Sequence, residues 1–122
     1  MIHEEICTYE VAKLAKERGF NEYVEAFYAE DCETAHSQGP EKWNEYNGIV
    51  AAPTQSLLQR WLREEKGYYV YPFFDNEELK WTYVVREKTG DMWITLIGET
   101  PYYDCFEEAM EDALKFVLEN FV

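Results

Sequence analysis

Residues 79–86 read Leu-Lys-Trp-Thr-Tyr-Val-Val-Arg. Large apolar side chains occupy every second position of this stretch, at Leu79, Trp81, Tyr83 and Val85. Alternation with a period of two predicts a strand with one buried face. Strand-like residues also fill 68–74 and 92–97, and the connections between the three segments are short. We therefore predict a three-stranded antiparallel meander over 68–97, with Pro72 on a sheet edge because proline lacks a backbone N–H.

Two amphipathic helices are predicted to pack on the inner face of this meander. The first spans 54–66, with Thr54 as its N-cap and Gly67 as its stop. The second spans 104–120, and its Asp104 and Glu107 have the spacing of a capping box. Apolar residues recur along the second helix with the 3.6-residue period that buries one helix face.

The first part of the chain is predicted to be helical as well. Thr8 can cap a helix that ends at Gly19, and a second, weaker helix is expected over 21–31. Segment 32–53 contains the turn dipeptides Gly-Pro and Asn-Gly, so we expect an irregular loop there. The predicted fold class is α+β, with N-terminal helices, a three-stranded antiparallel meander and a C-terminal helix packed on one sheet face.

The length of 122 residues predicts a single domain over 1–122. An apolar fraction of 47% excludes a wholly disordered chain. No apolar run approaches the roughly 18 residues of a membrane span, and acidic residues stand near the N-terminus where a secretory signal has basic ones. We expect a cytoplasmic protein with no membrane partner.

Acidic residues dominate the charge, with 25 against 11 basic residues and a net charge of −14. Such a charge repels phosphate backbones, so direct nucleic-acid binding is not expected. Two alternatives stay open. An acidic chain can mimic nucleic acid and inhibit a DNA-handling protein, and helices followed by strands can form a winged-helix-like DNA binder, with Arg60, Arg63 and Lys66 on one exposed helix side.

Three widely separated cysteines do not form a disulfide framework and fit a reducing compartment. The spacing of His3 and Cys7 mirrors that of Cys32 and His36, and four such ligands could hold tetrahedral zinc. This arrangement is not one of the usual zinc spacings, so we expect reduced thiols, no metal and no cofactor. The quartet remains as the alternative metal site.

The sequence contains no motif of nucleophilic, phosphate-binding or metalloprotease chemistry. Cys32 and His36 are too close along the chain to define a catalytic dyad, because such pairs usually meet through the fold. The sequence therefore predicts no catalytic residues and a non-catalytic role.

Three blocks of the chain carry a resemblance to other proteins. They are Thr-Tyr-Glu-Val-Ala-Lys-Leu-Ala-Lys-Glu-Arg-Gly-Phe at 8–20, the helix at 52–65 and the closing segment at 103–118. Together they resemble a group of small proteins of gut Bacteroidetes and their phages, to which no activity is assigned. The resemblance implies an accessory role of a mobile-element or phage type and no catalytic residues.

Aromatic residues make up 17% of the chain, and rings and arginine are both enriched at protein interfaces. We predict that a protein partner binds one contiguous surface formed by Trp43, Tyr46, Arg60 and Arg63. The alternative is that the two rings close the core. A homodimer is also expected, because a second copy readily covers an unpaired sheet edge or a patch of exposed rings.

Overall fold

A computed structural model describes residues 2–29, 34–96 and 101–122. The chain divides into two compact units, Met1–Gln55 and Ser56–Val122. Helices accompany a three-stranded antiparallel sheet in each part of the chain, so the α+β class is confirmed. A single domain over 1–122 stays a prediction. In chain order the elements are α1 (Tyr9–Glu17), β1 (Val24–Ala29), β2 (Ala35–Glu41), a 3₁₀ turn (Trp43–Glu45), β3 (Ile49–Ala51), α2 (Gln55–Trp61), a π-helical turn (Leu62–Lys66), β4 (Tyr68–Asp75), β5 (Lys80–Thr89), β6 (Met92–Thr95) and α3 (Phe106–Asn120).

Helix α1 begins and ends where the sequence predicts. The backbone N–H of Val11 donates to Thr8 Oγ1, 3.4 Å away, which satisfies one of the N–H groups left free at a helix start. Gly19 follows the helix with φ of +95°, a conformation that glycine adopts without steric strain. The helix buries Val11, Ala12 and Ala15 against the rest of the first unit.

The helix predicted over 21–31 is wrong, because β1 occupies Val24–Ala29. Val24, Ala26 and Tyr28 are buried, and the residues between them are more exposed. This is the two-residue period of a strand. Strand β1 lies between β2 and β3 and pairs antiparallel with both, so its backbone hydrogen bonds go to distant segments.

The irregular loop predicted over 32–53 is also wrong for most of its described length. Strands β2 and β3 and the 3₁₀ turn lie within it. Strand β2 is an edge strand, where Pro40 is tolerated because proline has no N–H to give to a neighbour. The register with β1 shifts between Val24, paired with Glu41, and Ala26, paired with Ser37, so the extra residues of the irregularity lie on β2 around Pro40. Residues 32 and 33 lie outside the described residues.

The core of the first unit lies between α1 and its sheet. Ala12, Ala26, Tyr28, Val50 and Ala52 form its buried cluster. The Tyr28 hydroxyl donates to the carbonyl of Cys7 over 2.6 Å, which satisfies its polar end inside the core.

The predicted meander is confirmed in the second unit. Its strand order is β4-β5-β6, and both pairs are antiparallel. Pro72 lies on β4 at the edge of the sheet, as predicted. The predicted third strand reached residue 97, but β6 ends at Thr95 and residue 97 lies outside the described residues.

Helix α3 packs on one face of this sheet. Its buried residues are Ala109, Met110, Ala113, Leu114, Val117 and Leu118. Val70 and Val85 are completely buried on the sheet side. Ring contacts of 5.5 to 6.4 Å join Trp81 to Phe106 and Tyr83 to Phe116, which places these β5 side chains on the α3 face.

The predicted capping box of α3 is wrong. The N-cap is Cys105, and no side chain caps the helix start. Asp104 instead accepts a hydrogen bond from Lys80 Nζ over 2.7 Å, because the isolated bridge between Trp81 and Tyr103 brings Asp104 beside the start of β5.

Helix α2 and its π-helical turn cover the segment predicted as one helix over 54–66. Gly67 ends them with φ of +77°, as predicted. Gln59 Nε2 donates to the Val70 carbonyl of β4 over 2.6 Å, and Leu58 and Leu62 are completely buried.

Candidate interaction surface

Strand alternation leaves one face of the second sheet turned away from α3. The cross-strand pairs Tyr69–Arg86, Tyr71–Val84 and Lys88–Trp93 share this face, since directly paired residues point to the same side of a sheet. We call it the outer face. Its members are Tyr69, Tyr71, Phe73, Asp75, Lys80, Thr82, Val84, Arg86, Lys88, Trp93 and Thr95.

Aromatic rings form the centre of the outer face. The Tyr69 ring lies 4.9 Å from the Tyr71 ring and 5.9 Å from the Trp93 ring, measured between centroids. Each of these three rings is partly exposed, and Phe73 at the same face is 39% exposed. Partly exposed rings in contact give a rigid apolar surface of the kind found at interface centres.

Two arginines lie over these rings. The Arg63 guanidinium is 5.7 Å from the Tyr69 ring centroid, and the Arg86 guanidinium is 5.6 Å from that of Tyr71. A cation above a ring face is attracted by the ring quadrupole with about 0.5–2 kcal/mol. The rings therefore hold both guanidiniums in place without an ion pair.

Neither arginine is neutralised by a carboxylate in the described part of the chain. Among the described residues, Arg60 pairs instead with Glu64 and Lys80 pairs with Asp104, and both of these ion pairs are exposed. The Nε atom of Arg86 is buried and has no hydrogen-bond partner among the residues that the structure describes. A buried N–H of a charged group without an acceptor is unfavourable, so this atom marks a place where an acceptor would be stabilising.

The outer face is a cationic exception in an acidic chain. Arg86, Lys88 and Lys80 are members of it, Asp75 is its acidic member, and Arg63 lies beside it. Helix α3 on the opposite side of the sheet carries five acidic residues and one lysine. Exposed Glu107 and Glu108 stand in the first turn of that helix. Positive charge therefore predominates on one side of the second sheet and negative charge on the other.

Trp43 and Tyr46 lie in the first unit. Trp43 Nε1 donates to the Val24 carbonyl over 2.8 Å, and the Trp43 ring packs 4.6 Å from the Phe27 ring. Tyr46 is 46% exposed, and its pKa is raised, chiefly by the charge of Glu41. The sheet of the first unit therefore holds Trp43 more firmly than Tyr46.

Arg60 and Arg63 lie in the second unit, on α2 and the following π-helical turn. Arg60 pairs with Glu64 one helical turn away over 2.6 Å, and this contact raises the Arg60 pKa. Arg63 reaches the outer face through Tyr69. One contiguous surface of Trp43, Tyr46, Arg60 and Arg63 stays a prediction.

The residues of the alternative metal site have different surroundings. His3 is exposed and Cys7 is completely buried in the first unit. His36 is exposed on β2, with its ring 5.7 Å from that of Phe27. Cys32 lies outside the described residues. Among residues 2–29, 34–96 and 101–122, no group of three or more His, Cys, Asp or Glu side chains could hold a metal ion.

A tyrosine pair and a carboxylate meet beneath α3. The Tyr103 hydroxyl donates to Asp112 Oδ2, and the Tyr103 ring lies 6.2 Å from the buried ring of Tyr83. Burial raises the pKa of Tyr103, and the hydrogen bond to Asp112 raises it further. This cluster ties α3 to the segment before it.

An open hollow of about 410 Å³ lies in the first unit. Ile6, Thr8, Tyr9, Glu10 and Tyr28 line it. Its polar groups are one carboxylate and three hydroxyls.

None of the helices described here is long and apolar enough to cross a membrane. The chain matches no protein-family model, no curated protein and no solved structure.

Sequence reasoning missed the outer face, although it singled out Arg63. The missed residues are Tyr69, Tyr71, Arg86 and Trp93. The signal that could have found them is the set of alternate strand positions that point away from the core. Positions 69, 71 and 73 of β4 are all aromatic, and the β5 residue paired with position 69 is Arg86.

Proposed function

We propose that this protein is a non-catalytic interaction module that binds a partner protein through the outer face. The observation that carries the proposal is the set of partly exposed rings with two guanidiniums held over them and no described carboxylate paired to either. Aromatic residues and arginine are the types that dominate binding energy at protein interfaces.

The sequence supports a setting for this function. The resemblance to small proteins of gut Bacteroidetes and their phages supports an accessory role in the cytoplasm of the host cell. The absence of a recognisable catalytic motif supports binding rather than chemistry.

Site-specific photocrosslinking tests the proposal. A benzophenone amino acid replaces Trp93 or Phe73 on the outer face, and Tyr23, which is 63% exposed in the first unit, serves as the matched control position. Irradiation in host cells should give discrete crosslinked protein bands from Trp93 and Phe73 and none from Tyr23.

Circular dichroism first confirms that each substituted protein is folded. Discrete bands from the outer-face positions support the proposal, and the excised bands identify the partner. The proposal would be contradicted if Trp93, Phe73 and the control Tyr23 all gave the same crosslinked bands, or if neither outer-face position gave a band. Bands from a probe at Tyr46 alone would favour the surface predicted around Trp43.

A further inference from the structure

We propose that the outer face binds an acidic, extended peptide segment whose carboxylates pair with Arg86 and its neighbouring cations. This inference rests on the proposed function and names the chemistry of the partner. It has three supports: the missing acceptor at Arg86, the occupied ring faces and the spacing of the cations.

The first support is the unsatisfied Arg86 side chain. Within residues 2–29, 34–96 and 101–122, its buried Nε atom has no hydrogen-bond partner, and its guanidinium lies over the Tyr71 ring. The planar guanidinium presents its N–H donors in a fork that matches a carboxylate. A carboxylate from a partner would pair with the terminal N–H donors of this partly exposed side chain and supply the missing countercharge.

The second support separates a peptide from a nucleic acid. Proteins bind single strands by stacking bases on free aromatic faces. Here the guanidiniums of Arg63 and Arg86 lie over Tyr69 and Tyr71, so those faces are already occupied. A long polyanion would also run from the outer face onto a chain of net charge −14, whereas a short acidic segment stays within the cationic area.

The third support is geometric. Arg86 and Lys88 are two residues apart on β5, so they point to the same side at a separation of about 7 Å along the strand. An extended peptide presents its own side chains to one side with the same repeat. Carboxylates at alternate peptide positions would therefore meet both cations, with Trp93 beside Lys88 to contact the peptide backbone.

The experiment measures binding of three labelled probes by fluorescence anisotropy at low salt. The probes are a peptide of four Glu-Gly repeats, the same peptide with Gln in place of Glu, and an eight-nucleotide thymidine strand. The full-length protein should bind the Glu-Gly peptide saturably and the Gln-Gly peptide at least about tenfold more weakly, since a charge-assisted pair exceeds a neutral hydrogen bond by roughly that factor.

Three variants locate the binding. Arg86→Gln should weaken Glu-Gly binding about tenfold, and the exposed Lys88→Gln should weaken it several-fold. Lys13→Gln is the matched control, because Lys13 is an exposed cation on α1 of the first unit and the loss of its equal charge should leave binding unchanged. Lys88→Gln keeps the test valid even if Arg86→Gln unfolds.

Four results would overturn the inference: no saturable binding, equal affinity for the Gln-Gly peptide, equal weakening by Lys13→Gln, or tighter binding of the thymidine strand. Sedimentation mass provides a further test, because displacement of a preformed dimer by the peptide would instead assign the face to a second copy. Photocrosslinks from Trp93 together with failed peptide binding would reject the acidic partner alone and leave the proposed function standing.

Discussion

At the scale of single residues, Trp43 and Tyr46 look equivalent in the sequence but have different surroundings in the first unit. Trp43 donates a hydrogen bond to the Val24 carbonyl and packs on Phe27. Tyr46 has a ring contact to Trp43 at 5.9 Å, but nearly half of its surface is exposed. The two residues should therefore differ in what they contribute to stability.

We predict that Trp43→Ala lowers the free energy of unfolding by about 2–3 kcal/mol, because it removes a half-buried ring and leaves the Val24 carbonyl without its donor. Tyr46→Ala should change it by less than about 0.5 kcal/mol, as exposed substitutions usually do. Urea denaturation of both variants measures the difference. A near-native Trp43→Ala protein would contradict the structural role and restore Trp43 as a binding residue.

At the scale of an element, the β4–β5 turn combines tight hydrogen bonding with one strained residue. Asp75 Oδ1 accepts from the backbone N–H groups of Glu77 and Glu78 at 2.9 and 3.2 Å. These bonds, the one from Glu78 first, lower the Asp75 pKa. Leu79 closes the turn with φ of +56° and is 71% exposed.

We predict that Leu79→Asn raises the free energy of unfolding by about 0.5–1 kcal/mol. Leucine in the left-handed region is strained by about 1–2 kcal/mol, whereas asparagine visits this region routinely. Leu79→Ala is the matched control, because alanine keeps the strain and should give no gain. Guanidinium denaturation with an unchanged slope checks this, and equal stability of the Asn and Ala variants would contradict it.

At the scale of the whole molecule, tyrosine ionisation connects stability to alkaline pH. Burial is the largest cause of the raised pKa of Tyr68, Tyr83 and Tyr103. An unfolded tyrosine ionises near the ordinary value of 10.0, so at higher pH the unfolded chain has released protons that the folded chain still holds. Folding stability is therefore complete below pH 10 and declines as pH rises toward the folded pKa values.

We predict that the free energy of unfolding is constant between pH 8 and about pH 9.5 and falls above pH 10. Tyr103→Phe should reduce the steepness of that decline, because it removes the tyrosine held neutral by both burial and Asp112. Chemical denaturation across the pH series measures the slope. A Tyr103→Phe slope as steep as that of the natural chain would contradict this role for Tyr103.

The second unit was largely predictable because its signals are local. The alternation of Trp81, Tyr83 and Val85 and the short turns on either side determine a meander without reference to the rest of the chain. The 3.6-residue period of α3 likewise determines which of its sides is buried. Gly19 and Gly67 mark helix ends because few other residues adopt a positive φ without strain.

Only the tertiary structure decided β1 and the outer face. Segment 24–29 has apolar residues at both helical and strand spacings, and pairing with two strands distant in sequence selects the strand. The outer face joins Arg63 to Tyr69 and Arg86 to Tyr71, which lie on different elements. Such contacts depend on strand register, and register arises from packing between distant segments rather than from local preference.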